Sequence, residues 1–104
     1  MAVEFDRSAW EDPAPNLTAE QYAAVSLIDL NPPGAAKIKS KCKLPIRKTP
    51  GSPPNIHAVE SAARLIGRVD APADQIARAA RILVRLLRAD GQEPSDSLLQ
   101  KAKG

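Results

Sequence analysis

Cysteine, histidine, aromatic residues and long apolar runs are all scarce in this 104-residue chain, and each scarcity closes a class of function. Cys42 is the only cysteine, so no disulfide can form within one chain, and a reducing compartment is the expected setting. His57 is the only histidine. One cysteine and one histidine fall short of a four-ligand metal site, and no metal is expected. The five glycines, at positions 34, 51, 67, 91 and 104, form no phosphate-cradling pattern, so no nucleotide or other cofactor is expected. No apolar run approaches the ~20 residues of a membrane span. The opening "MAVEFDRSAW" carries acidic residues and no apolar core, so it does not read as a secretory signal, and the protein is not expected to be secreted.

Proline, by contrast, is abundant: ten residues, concentrated at Pro13 and Pro15, Pro32 and Pro33, and Pro50, Pro53 and Pro54. They punctuate one small domain. A chain of this size buries only about 60–70% of its unfolded surface, so its stability margin is thin. Charge is unevenly spread. Residues 1–34 carry a net −5, residues 35–54 a net +6, and the remainder +2. Such asymmetry marks an interaction surface. The acidic third can neutralise the basic segment within the chain, or the basic segment can meet an acidic partner.

Residues 1–16 lack periodicity and read as an extended arm. Phe5 and Trp10 are unusual in a disordered tail, so they are expected to anchor the arm in a groove, on this chain or on a partner. The segment "LTAEQYAAVSLIDL" predicts a helix over about 18–30, capped by Thr18 with Gln21 three residues on, until "NPPG" stops it. In "KIKSKCKLPIRK", Lys37, Lys39, Lys41 and Lys43 alternate with Ile38, Ser40, Cys42 and Leu44. A period of two predicts a strand over about 37–46, lysines outward and Ile38, Cys42 and Leu44 inward. Pro45 lacks a backbone donor, which puts that strand's end at an edge. Helices follow over about 56–69, 72–90 and 95–103. Asn55 and Ser95 cap the first and last, Asp70 is expected to cap the middle one, and Gly91 closes it. The short "DAP" link and Ala62, Ala63, Ala79 and Ala80 predict close antiparallel packing of the 56–69 and 72–90 helices. The expected fold is therefore mainly α: a small helical domain over 17–104, built on an antiparallel helix hairpin, with a short basic edge strand and an extended N-terminal arm.

Catalysis finds little support in these residues. Nothing brings Cys42 beside His57, and neither has an evident orienting group. Two basic features remain: Lys37, Lys39, Lys41, Lys43, Arg47 and Lys48 in and just after the expected strand, and the stripe Arg78, Arg81, Arg85 and Arg88 on the long helix, with Asp74 one turn before Arg78 as a supporting pair. Both can contact a nucleic-acid backbone or an acidic protein surface. Neither contains the aromatics that stack on bases or the polar side chains that read them. A membrane-surface role is disfavoured by the absence of aromatics along the long helix. A non-enzymatic binding or structural protein is the better expectation, with Phe5, Trp10 and the Lys37–Lys48 segment as partner-binding residues and nucleic-acid binding as the alternative.

The stretches "KCKLPIRKTPGSPPNIHAVESAARLI" and "PADQIARAARILVRLLRADGQEP" resemble a short domain of tailed-phage and prophage proteins of actinobacteria. Its pattern runs from a Lys-x-Leu-Pro-Ile element through Asn-x-x-Ala-Val to an Ala-Ala-Arg helix. Trp10, Thr18, Glu20, Gln21, Tyr22 and Ala23 match a segment that precedes it. The chain departs in having "EDPAPN" after the tryptophan, where small polar residues are usual. The resemblance spans about residues 10–94. It implies a head-associated role as a minor capsid, decoration or assembly protein, with the major capsid protein or further copies of itself as partner. The virion or host cytoplasm is the implied location, and no active-site residues are implied.

Overall fold

The computed structural model describes residues 3–104, which form four α-helices and one two-stranded antiparallel sheet. The elements run α1 (Ala19–Val25), β1 (Ser26–Asp29), β2 (Cys42–Pro45), α2 (Ile56–Leu65), α3 (Ala73–Ala89) and α4 (Asp96–Ala102). Short 3-10 turns occupy Ala14–Asn16, Lys39–Lys41 and Ile66–Arg68. The architecture is mixed, with helix in about half of the residues.

Local chemistry sets most helix ends. The Thr18 hydroxyl accepts from the Gln21 amide while the Gln21 side chain accepts from the Thr18 amide, a complete capping box. Asn55 and Ser95 accept from the amides of Ala58 and Leu98. Asp70 does not cap α3. Pro72 holds that position, and its carbonyl accepts from Gln75 and Ile76. At the other end Gly91 takes φ +79°, and the amides of Gly91 and Gln92 return to the carbonyls of Arg88 and Leu87, the left-handed cap that only glycine forms without strain.

Two expected elements are shorter than their sequence pattern. The helix predicted over 18–30 ends at Val25, and Ser26–Asp29 is strand β1. The run Val25-Ser26-Leu27-Ile28 is apolar enough for either state, and pairing decides it. Ser26 faces Pro45, Ile28 faces Lys43 and Asp29 faces Cys42, while the Ser26 hydroxyl donates back to the Tyr22 carbonyl and closes the helix. The strand predicted over 37–46 is reduced to Cys42–Pro45, because Lys39–Lys41 tightens into a 3-10 turn. The lysines therefore do not share one strand face, and Ile38, expected inward, is 51% exposed. Asn31 holds this bend: its amide oxygen accepts from the Ile38 amide and its NH2 donates to the Ile38 carbonyl. Cys42, Leu44 and Ile46 do point inward.

The main core gathers Ile28, Ile46, Val59, Leu83 and Leu98 with Ala62, Ala79 and Ala80, so every α-helix except α1 contributes to it. A smaller cluster of Leu17, Tyr22, Val25 and Cys42 seals α1 to β2. Helix α3 packs most extensively against α4, and also against α2 and β1.

The arm folds back onto the body. Within residues 3–16, Val3, Phe5 and Trp10 pack on the main core. Residues 1 and 2 of the expected arm lie outside the described residues. A parallel bridge joins Asp6 to Asn55: the Asp6 amide donates to Pro54 O (2.9 Å), and the Ile56 amide donates to Asp6 O (2.9 Å). Asn55, fully buried, also donates from Nδ2 to Ser8 O (2.9 Å). Arg7 pairs with Asp90 at the end of α3. The radius of gyration, 13.2 Å, matches the ~13 Å of a compact domain near 100 residues, with residues 3–16 held against the body.

Candidate functional site

The basic residues divide into two groups by what they touch. Most of the lysines meet their own chain. Lys37 pairs with Asp29, Lys39 Nζ donates to Ala14 O (2.7 Å), Lys43 Nζ donates to Ser40 O (2.8 Å), and Lys48 bonds Ser8 and lies 3.6 Å from Asp6. Acidic residues of the first third thus neutralise part of the basic segment from within. The electrostatics agree. Burial opposes ionisation of Asp29, yet hydrogen bonds from Lys37 and Asn31 outweigh it and hold the carboxyl below the usual range. The same hydrogen bond pushes Lys37 up. Asp6 is held far below the carboxylate range by the Ser8 hydroxyl and amide, with Lys48 adding to the effect.

The arginines of α3 behave differently. Arg78, Arg81, Arg85 and Arg88 are all exposed. Arg81 donates to Ala102 O (3.1 Å), at the C-terminal end of α4, where a cation suits the helix dipole. Among the described residues, Arg78, Arg85 and Arg88 have no carboxylate within ion-pair range, so the expected Asp74–Arg78 pair is not formed. Arg47, immediately after β2, is unpaired in the same sense.

Three of these unpaired arginines meet at one place. Arg47, Arg78 and Arg85 line a cleft of about 210 Å³ whose other walls include Leu27, Ile46, Ile82 and Leu86. The Ile46 amide, bonded to Val25 O (3.0 Å), locks the segment after β2 to the α1–β1 junction, which brings Arg47 to this face. On α3, Arg78, Ile82, Arg85 and Leu86 stand at i, i+4, i+7 and i+8, one continuous stripe. The outcome is an apolar floor under an arginine rim. In the sequence the three arginines belong to two separate features, and the apolar floor between them is not marked. The i, i+4 spacing of Ile82 and Leu86 between the arginines is the signal that could have marked it.

Phe5 and Trp10 lie against this chain's own core. Trp10 also lines a second cleft, of about 250 Å³, with Leu44, Pro45, Ala62 and the exposed Leu65. The Arg7 guanidinium stands 5.8 Å from the centre of the Phe5 ring, a cation–π contact that holds the arm's first aromatic.

Cys42 and His57 have separate surroundings. The thiol is buried, and burial together with the Asp29 charge pushes its pKa up, away from the thiolate. Its neighbours within hydrogen-bond range are Asn31 and the Ile38 carbonyl. His57 is exposed in the first turn of α2, 3.6 Å from Glu60. Among the described residues, no three His, Cys, Asp or Glu side chains are grouped as metal ligands would be, and no helix is long and apolar enough to cross a membrane.

No protein-family model, curated protein or solved structure matches the chain.

Proposed function

We propose that this protein is a non-enzymatic docking module that binds an acidic protein surface through the arginine-bearing face of α3. The observation that carries this reading is the contrast among its cations: most of the lysines are engaged within the chain, whereas Arg47, Arg78, Arg85 and Arg88 have no acidic partner among the described residues. Exposed, uncompensated charge steers association and selects partners of opposite sign. An antiparallel hairpin of α2 and α3, closely approached over Ala62, Ala79 and Ala80, gives that face a stiff backing in this reading. The buried, thiolate-disfavouring setting of Cys42 supports a role without nucleophilic chemistry. Combined with the resemblance to tailed-phage head-associated domains, the partner is a major capsid protein or further copies of this chain. The role is that of a minor capsid, decoration or assembly protein, in the virion or host cytoplasm. The arm, with Phe5 and Trp10, serves the body that presents the arginines. An exchange of the arm onto a neighbouring subunit, or addition of a strand to the sheet edge, would extend the same role.

Co-sedimentation with empty tailed-phage heads tests the reading. The wild type is expected to pellet with the shells, and Arg78→Glu with Arg85→Glu to abolish it; pelleting that survives the double reversal contradicts the proposal. The free arginines also favour one second reading, contact with a nucleic-acid backbone. In that case affinity for a random DNA duplex falls steeply with salt.

A further inference from the structure

We infer that the cleft between α3 and the α1–β1 junction receives a short acidic segment of a protein partner, with one apolar side chain seated between carboxylates. The inference rests on the docking reading above and specifies its ligand. The walls divide by chemistry. Leu27, Ile46 and Leu86 are buried at 8%, 2% and 5% exposure, while Arg78 and Arg85 are exposed around them. An apolar floor rewards an apolar group, and arginine forks reward carboxylates, which they grip bidentately.

Size selects the kind of ligand. Pockets that enclose a whole small molecule run to roughly 300–1,000 Å³. This cleft, at about 210 Å³, is suited to a single side chain. The rim, with three cations and no carboxylate in ion-pair range among the described residues, carries enough charge to hold acidic residues on either side of that side chain. A nucleic-acid backbone would satisfy the arginines, but it offers nothing apolar for Leu27, Ile82 and Leu86. The floor therefore favours protein as the occupant.

The decisive experiment titrates the isotope-labelled full chain with a blocked pentapeptide of one leucine between two pairs of glutamates, followed by amide chemical shifts at physiological ionic strength. Shifts are expected at residues 24–27, 46–47 and 78–86. Affinity should drop about tenfold or more in Arg78→Glu/Arg85→Glu. It should hold within about twofold in Arg64→Glu/Arg68→Glu, which changes net charge equally outside the cleft. Replacing the peptide's leucine with serine should weaken binding to the unaltered protein by a similar factor, a control independent of any variant's folding. Equal weakening by both charge reversals, indifference to the leucine, or tighter binding of a random DNA duplex would each overturn the assignment. Should shells still pellet in an Arg78- and Arg85-dependent way while the peptide fails to bind, the ligand chemistry falls and the docking reading stands. Loss of both results removes both.

Discussion

Replacing Leu44 by glycine is expected to leave the protein more stable than replacing it by alanine, the reverse of the usual order in a strand. Leu44 sits in β2 with φ +60°, the left-handed region, and is the only non-glycine residue there among those described. For an L-residue that conformation costs roughly 1–2 kcal/mol. The following residue, Pro45, biases position 44 toward extended backbone and adds to the cost. The side chain is 7% exposed, so truncation to alanine should cost about 2–5 kcal/mol. The lower half of that range applies, because the residue lines the Trp10 cleft and its surroundings can close in. The step from alanine to glycine isolates the backbone. In an ordinary strand it loses about 0.5–1 kcal/mol. At positive φ the strain relieved exceeds the entropy lost, and a gain of about 1 kcal/mol is expected. For a domain of this size that is about 4–8 °C in melting temperature. Thermal and urea unfolding of the two variants, followed by far-ultraviolet circular dichroism, measure it. An alanine variant more stable than the glycine variant by 0.5 kcal/mol or more would refute the strained conformation.

Asn55→Ala removes an N-cap and leaves Ser8 O without its donor, so a loss of about 2–4 kcal/mol is expected in denaturant titration; Asn55→Ser, which keeps the cap alone, should lose less and should expose the Asp6 and Ile56 amides to hydrogen exchange. Hydrogen bonds from Gln92 and Arg7 hold Asp90 below the usual carboxylate range, as others do for Asp6 and Asp29. Depressed folded-state values mean that this stabilisation is complete above the unfolded value of about 3.9 and is lost as pH falls through the folded ones. Unfolding free energy should therefore decline below about pH 4, with the tryptophan signal of the arm among the first to change, and a flat profile down to pH 2 would contradict the assigned bonds. Cys42 should label slowly with a thiol reagent at mildly alkaline pH and quickly in denaturant; prompt labelling of the native chain would contradict its buried setting.

Helix ends were the most legible part of the chain, because capping is local chemistry. Thr18, Asn55, Ser95 and Gly91 act within a few residues of where they stand. Strand boundaries were less legible, because pairing is not local. Residues 26–29 become a strand only through Cys42–Pro45, and the alternating lysines lose their register to a 3-10 turn fixed from Asn31. The cleft was illegible as a unit for the same reason. Arg47 and Arg78 are 31 positions apart, and only the Ile46–Val25 hydrogen bond with the packing of α3 on β1 brings them to one surface. Its place before a helical pattern marks Asn55 as a cap, which uses its oxygen. Its NH2 had no partner that sequence spacing could supply, since Ser8 lies 47 residues away.

The Asp6–Asn55 bridge also sets an order of events at the ribosome. Residues 3–10 emerge before residues 54–56, whose backbone groups receive them. At roughly 5–20 residues per second, synthesis keeps Phe5 and Trp10 without their docking surface for several seconds. A nascent chain interrupted before Asn55 carries two unsheltered aromatics, the kind of surface that chaperones retain. Synthesis of the buried asparagine is thus the first point at which the arm can begin to dock, and the core that covers its aromatics is made later still.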